Sequence, residues 1–197
     1  MTAAWVLPIA LDETTRPALR PLPLRAAEVL RDVDAPPRLV AHLRAVHDVA
    51  AQLVAWVEQR GMEVEAEAVL FGAATHDIGK TVYPAELSGP GSEHERAGRD
   101  LLLARGIPLE LAKYAAGHAT WTEDSGLDEL LVSLADKIWK NKRVQELENL
   151  VIARLAAASG RAAWDEFLEL DEVLTGIGDG ADERLAYQMA FPVVGTA

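Results

Sequence analysis

From Pro37 to Arg60 the chain runs without a glycine or an internal proline, and Leu39, Leu43, Val46, Ala50, Leu53 and Val57 recur at alternating intervals of four and three residues. That spacing returns to one side of a 3.6-residue helix, whereas a half-buried strand needs a period of two. The segment is therefore read as a long helix that buries one stripe, and Gly61 supplies its stop.

The same reading extends down the chain. A second helix is expected from about Glu63 to Ile78, ended by Gly79. A loop with Pro84, Gly89, Pro90 and Gly91 follows, and Ser92 with Glu95 makes a capping-box pattern for a helix reaching Arg105. Gly106 breaks that helix, and Pro108 starts one that runs to about His118. After a loop over 119–126, a long helix is expected from Leu127 to Ala158, bent near Asn141. Trp164 to Leu174 and Asp182 to Met189 read as two more helices. Alanine and leucine are abundant and β-branched or aromatic runs scarce, so the expected fold class is all-α, a helical bundle in a single domain. Six of the ten prolines lie in the first 37 residues. Residues 1–35 are accordingly expected to be an irregular proline-rich arm with at most a short helix around Leu24 to Arg31. Residues 36–158 then form the principal helical domain, with C-terminal helices over 159–197 packed on it.

Charge and residue types narrow the functions. The formal net charge is −12, a field that repels a phosphate backbone and argues against coating DNA or RNA. A small anionic substrate remains compatible, because a metal ion and a few lysines reverse the sign locally. The absence of cysteine removes disulfides and thiolate metal sites, so any metal must be held by nitrogen and oxygen. Residues 3 to 11 are apolar but contain Pro8 and lack a basic lead, too short to span a membrane and poorly built as a signal peptide. A cytoplasmic protein with no membrane partner is expected; the acidic surface and the arm permit a homodimer without demanding one.

Chemistry concentrates in a few places. There are five histidines, and His76 is followed by Asp77, Ile78, Gly79 and Lys80. An imidazole and a carboxylate at the end of a helix can share one divalent ion, and Gly79 lets Lys80 swing over the same opening. Asp136 lies in an apolar run, where a carboxylate is costly unless paired or metal-bound. Lys137, Lys140, Lys142 and Arg143 form the most basic patch in this acidic chain. On a straight helix Asp136, Lys140 and Arg143 share a face, which suits a multi-phosphate substrate lying along it. The alternative is a solvated face paired with Glu146 and Glu148. Trp121 and Trp139 offer stacking surfaces or simple packing.

The string Thr75-His76-Asp77-Ile78-Gly79-Lys80, with a histidine upstream and Ala135-Asp136-Lys137 downstream, resembles the HD-domain superfamily of metal-dependent phosphohydrolases over roughly residues 37 to 145. The resemblance implies an HD-type helical bundle holding divalent metal, one or two ions of Fe, Mn, Co, Ni, Mg or Zn. For the upstream histidine, 29 residues separate His47 from His76, the family's interval, and 34 separate His42 from it. His47 is therefore preferred, and His42 is left as a surface or structural histidine. His47, His76, Asp77 and Asp136 would hold the first ion. His94 and His118 would join Asp77 around a second, a placement that resembles the bacterial symmetrical diadenosine tetraphosphate hydrolase branch and, more distantly, the HD-GYP cyclic-dinucleotide phosphodiesterases. His118 is followed by Ala119-Thr120-Trp121 where the diadenosine branch shows Thr-Thr-Gly, and the Gly-Tyr-Pro signature is missing, so the substrate stays open. Asp77, Lys80 and Lys137 are the implied catalytic residues, and Lys80, Thr120, Trp121, Lys137, Lys140 and Arg143 the substrate-binding ones. The expected activity is hydrolysis of a phosphoester or phosphoanhydride in a small nucleotide-like substrate by metal-activated water. A di-iron oxygenase on the same fold, or a nucleotide-binding module without catalysis, are the alternatives.

Overall fold

Ten α-helices and two 3-10 turns make up residues 4–193, the part of the chain that the computed structural model describes, and no strand occurs among them. The two short leading helices are α1 (Val6–Leu11) and α2 (Leu24–Asp32). The long stripe becomes α3 (Pro37–Gln59), with Pro37 in its first turn and Gly61 beyond its end at φ +74. Residues on every side of α3 are buried, so it is the central strut of the bundle and not a surface helix with one apolar face.

Against it pack α1, α4 (Ala66–Thr75), α7 (Leu127–Ile138) and α10 (Ala181–Met189), while α5 (Glu93–Ala104) and α6 (Leu109–Gly117) pair with each other and α6 lies on α4. Beyond α7 lie α8 (Gln145–Ser159) and, against α8, α9 (Ala163–Asp179). The 3-10 turns Ile78–Thr81 and Pro84–Leu87 join α4 to α5.

Four local expectations are corrected. First, α4 stops at Thr75, and Gly79 lies inside the 3-10 turn with no left-handed backbone. The reason for glycine there is space: a Cβ on Gly79 would stand 2.5 Å from the Gly98 nitrogen and closer still to the His94 carbonyl oxygen. Second, Ser92 makes no side-chain cap; the Glu86 carboxylate accepts the backbone N–H groups of Glu93 and His94 at 3.2 and 3.3 Å instead. Third, the helix expected over 127–158 is broken. α7 ends at Ile138 and the backbone of Asn141 turns left-handed at φ +58. The N–H of Lys142 then reaches back to the Lys137 carbonyl at 3.1 Å, and Arg184 of α10 donates to the Trp139 carbonyl at 2.8 Å. Carbonyls freed by the break are thus satisfied from within and from a distant helix.

Fourth, the proline-rich leader is not an irregular arm. It contains α1, and Val6, Ala10, Leu19, Leu22, Ala26 and Leu30 are buried in the common core. Arg44 of α3, fully buried, explains how. Its guanidinium donates to the carbonyls of Ile9 (2.6 Å), Leu19 (2.7 Å), Arg20 (3.1 Å) and Asp12, so backbone that prolines leave out of helices still finds a donor.

Candidate metal centre

Five elements each bring one part of the centre. α3 supplies His42 near its start, the C-terminal end of α4 supplies His76 and then Asp77, and the first turn of α5 supplies His94. His118 caps the end of α6, and Asp136 lies in the last turn of α7. All six residues are buried, at 8% exposure or less.

Asp77 is the hub. Its Oδ2 lies 3.2 Å from His42 Nε2 and 3.7 Å from His76 Nε2; its Oδ1 lies 3.0 Å from His94 Nε2 and 3.5 Å from His118 Nε2. Asp136 Oδ1 faces His76 Nε2 at 3.4 Å and His42 Nε2 at 3.7 Å. Two overlapping triads have ligand atoms close enough for a cation, His42 with His76 and Asp136, and His76 with Asp77 and His118.

His47 is not among them, which corrects the choice of upstream histidine on placement. Five steps along a helix rotate a side chain by about 140°. His42 points into the cluster, while His47 is buried toward Arg20 and Arg44, and burial followed by those two charges lowers its pKa to about 4.

The imidazoles are oriented from behind. Nδ1 of His76 donates to the Ala73 carbonyl at 2.9 Å and Nδ1 of His118 to the Ala115 carbonyl at 3.0 Å, each within its own helical turn. Nδ1 of His94 pairs with the Glu86 carboxylate at 2.5 Å. Each Nε2 lone pair is therefore presented to the carboxylates, as in histidines whose other ring nitrogen is fixed so that the ring can bind a metal. Lone pair facing carboxylate is no hydrogen bond: His76 Nε2, His94 Nε2 and Asp77 Oδ1 are buried without a partner. Such atoms are costly unless something satisfies them, and a cation between them does so for all three. The donor set, all imidazole and carboxylate, fits a borderline divalent transition ion.

Protons and a cation compete for these groups. Burial would raise the Asp77 carboxyl, but His76, His42 and His94 hold it well below the usual carboxylate range; Asp136 is likewise lowered against burial by His76 and Lys137. Burial lowers His42, and lowers His118 to about 4, so both rings are neutral near pH 7. Against burial, Asp77 and Asp136 raise His76, and Asp77 and Glu86 raise His94, the two positions where a proton and a cation compete.

Beyond the ligands, Lys80 Nζ meets Asp77 Oδ2 at 2.5 Å and Lys137 Nζ meets Asp136 Oδ2 at 2.6 Å. The centre opens into a cleft of about 500 Å³ whose walls include Arg38, Lys80, Lys137, Lys140, Glu95 and Gln188. Two residues expected at the substrate lie elsewhere: Thr120 and Trp121 line a separate cavity of about 90 Å³ behind His118. Trp121 still touches the site's edge, with Lys137 Nζ 5.8 Å from its ring centre. Arg143 leaves the cleft because the helix breaks before it, and it pairs with Glu148 and Asp171, both at 2.8 Å. Reading the chain overlooked Arg38, Glu86 and Gln188. None carries a local signal: Arg38 precedes the helix stripe, Glu86 sits in a loop, and Gln188 belongs to a helix about fifty residues beyond Asp136.

Among the described residues, no helix is long and apolar enough to cross a membrane. Residues 39–140 match the HD domain, more than half of the chain. An uncharacterised protein of Methanocaldococcus jannaschii is 30% identical over 122 residues, which cover 57% of this chain and 66% of the relative, just under two thirds of its length. No solved structure matches the chain. On the strength of that match, and with the His-Asp pair, the partner helices and the inward-facing imidazoles all within the matched segment, this chain belongs to the HD domain family, within the superfamily of metal-dependent phosphohydrolases.

Proposed function

We propose that the protein hydrolyses a phosphoester or phosphoanhydride bond in a small, nucleotide-like substrate. The observation that carries this reading is Asp77, whose two carboxylate oxygens each face two imidazole nitrogens, with a cationic cleft beside them. Imidazoles facing both oxygens of the carboxylate favour two ions over one. Bound there, divalent cations supply Lewis acidity toward a phosphoryl oxygen and lower the pKa of water to near neutrality.

The chain's own residues do the rest. Lys80 and Lys137 touch Oδ2 of Asp77 and of Asp136 and stand at the cleft, where they stabilise charge that develops on the phosphoryl group. Arg38 and Lys140 line the same cleft; Arg38 donates to the Phe191 carbonyl at 2.9 Å, and Lys140 rests 5.7 Å from the centre of the Trp139 ring. Four cations along one opening suit a substrate with more than one phosphate, and the motif likeness to the diadenosine tetraphosphate hydrolases points the same way. The loop that carries Leu87 and Gly91 forms part of the wall of the opening.

The test is an assay of purified protein with Mn(II) or Fe(II) on a panel of mono-, di- and triphosphate nucleotides and dinucleoside polyphosphates. Phosphate release or nucleotide cleavage without oxygen uptake is expected. Asp77→Ala should keep its helical circular dichroism, lose metal, and lose activity by on the order of 10³-fold or more. Full activity in that variant rules the assignment out.

A further inference from the structure

Glu86 has three bonds and no role in the chemistry described so far. From the 3-10 turn Pro84–Leu87, its carboxylate accepts from His94 Nδ1 at 2.5 Å and from the backbone N–H groups of Glu93 and His94 at 3.2 and 3.3 Å. One side chain, 9% exposed, thus holds both the ring of His94 and the first turn of the helix that bears it. Gly91 leaves room for this: a Cβ there would stand 2.6 Å from Glu86 Cγ and closer still to the carboxyl group.

The contrast with the other imidazoles is physical. His76 and His118 are held by carbonyls of their own helices, which cannot move relative to the ring. His94 is held by a side chain from the loop that walls the cleft through Leu87 and Gly91. A carboxylate is also a stronger acceptor than a carbonyl and makes the imidazole a better donor to a cation.

Resting on the metal-centre reading, we propose that Glu86 is a positioning residue: it aims His94 at the Asp77 Oδ1 side of the centre and makes the ion on that side depend on the conformation of the 84–91 loop. Loop displacement withdraws the carboxylate, frees the ring to rotate, and weakens that ion while leaving the His42, His76 and Asp136 side intact.

Calorimetric titration of chelator-stripped protein with Mn(II) tests this, with Glu86→Ala, Glu86→Gln, Gly91→Ala, His94→Ala and the Glu86→Ala/His94→Ala pair. In Glu86→Ala, one Mn(II) should bind about 10- to 100-fold more weakly, with the other unchanged. Glu86→Gln, whose single amide oxygen can still accept from His94 but not also from the Glu93 N–H, should lose less, and Gly91→Ala should resemble Glu86→Ala. In the His94→Ala background, Glu86→Ala should add nothing, because a residue acting through His94 has nothing left to act on. A merely structural cap would cost the same in both backgrounds, and that result overturns the proposal. So does wild-type Mn(II) binding in Glu86→Ala, or, if that variant fails to fold by circular dichroism, in both Glu86→Gln and Gly91→Ala. A wild type that binds no Mn(II) overturns the centre and this proposal together. Failure on the nucleotide panel with intact Mn(II) binding touches only the phosphohydrolase reading.

Discussion

His42 and His47 stand five positions apart on one buried helix and do different work. His42 Nε2 lies within 3.7 Å of both aspartates, so His42→Ala should release metal while leaving the helices in place, as measured by Mn(II) titration and circular dichroism. His47→Gln should keep metal. Its effect belongs to stability and to pH. The folded pKa of His47, about 4, lies below the ordinary value of 6.5, because burial and two arginines disfavour the charged ring. Stability from the neutral ring is therefore full above about pH 6.5 and is lost as pH falls toward 4. By pH 5 the loss is on the order of 2 kcal/mol. Urea unfolding of both proteins at pH 7.5 and pH 5 should show the wild-type advantage over His47→Gln shrinking by about that amount; an advantage that does not change with pH contradicts the assignment. The chain itself points to the His-Asp pair and to Asp136, because a ligating dipeptide at a helix end and a carboxylate in an apolar run are local features. Choosing between two histidines on a helix buried on all sides is not local, since no face of α3 is marked as exposed.

At the scale of elements, close approach matters more than helix propensity. The 3-10 turn Ile78–Thr81 lies against the first turns of α5, and Gly79 has no room for a methyl group. Gly79→Ala should cost about 3 kcal/mol or more through overpacking against backbone, which cannot rotate away. Thermal melting and soluble yield read this directly, and a variant within about 1 kcal/mol of wild type would show that the turn can shift. A glycine was expected there for the other reason, a left-handed helix stop. The α7–α8 break also follows from contact with distant elements. Asn141 takes a left-handed backbone beside Gly178 of α9, and Arg184 of α10 binds the Trp139 carbonyl. Lys140 stays at the cleft, and Arg143 is carried away to Glu148 and Asp171.

Over the whole molecule, segments outside the HD match brace the segment that carries the ligands. Arg44, two residues beyond His42 and fully buried, gathers carbonyls of the leader onto α3. Arg184 does the same for Trp139 and Ile177 from α10. Arg44→Met would leave four carbonyl acceptors without that donor. Burying even two of them unpaired costs roughly 3 kcal/mol, so a clear drop in the urea midpoint is expected. Arg44→Lys should recover part of it, because an ammonium reaches fewer of the four. A midpoint for Arg44→Met equal to wild type would mean that water replaces the guanidinium and the leader is not fastened this way.

Read without its fold, the chain already determined that it is helical and where most helices start and stop, and it pointed to His76, Asp77 and Asp136 as candidate ligands. Each of these follows from residue spacing, capping or the cost of burying charge, all of which act within a few positions. Tertiary structure alone decided that His42 and not His47 joins them, that the proline-rich leader is core, that the helix breaks at Asn141, and that Glu86 stands behind His94. Those outcomes depend on which distant helix supplies a donor or denies space, and such contacts leave no periodic trace in the segments that make them.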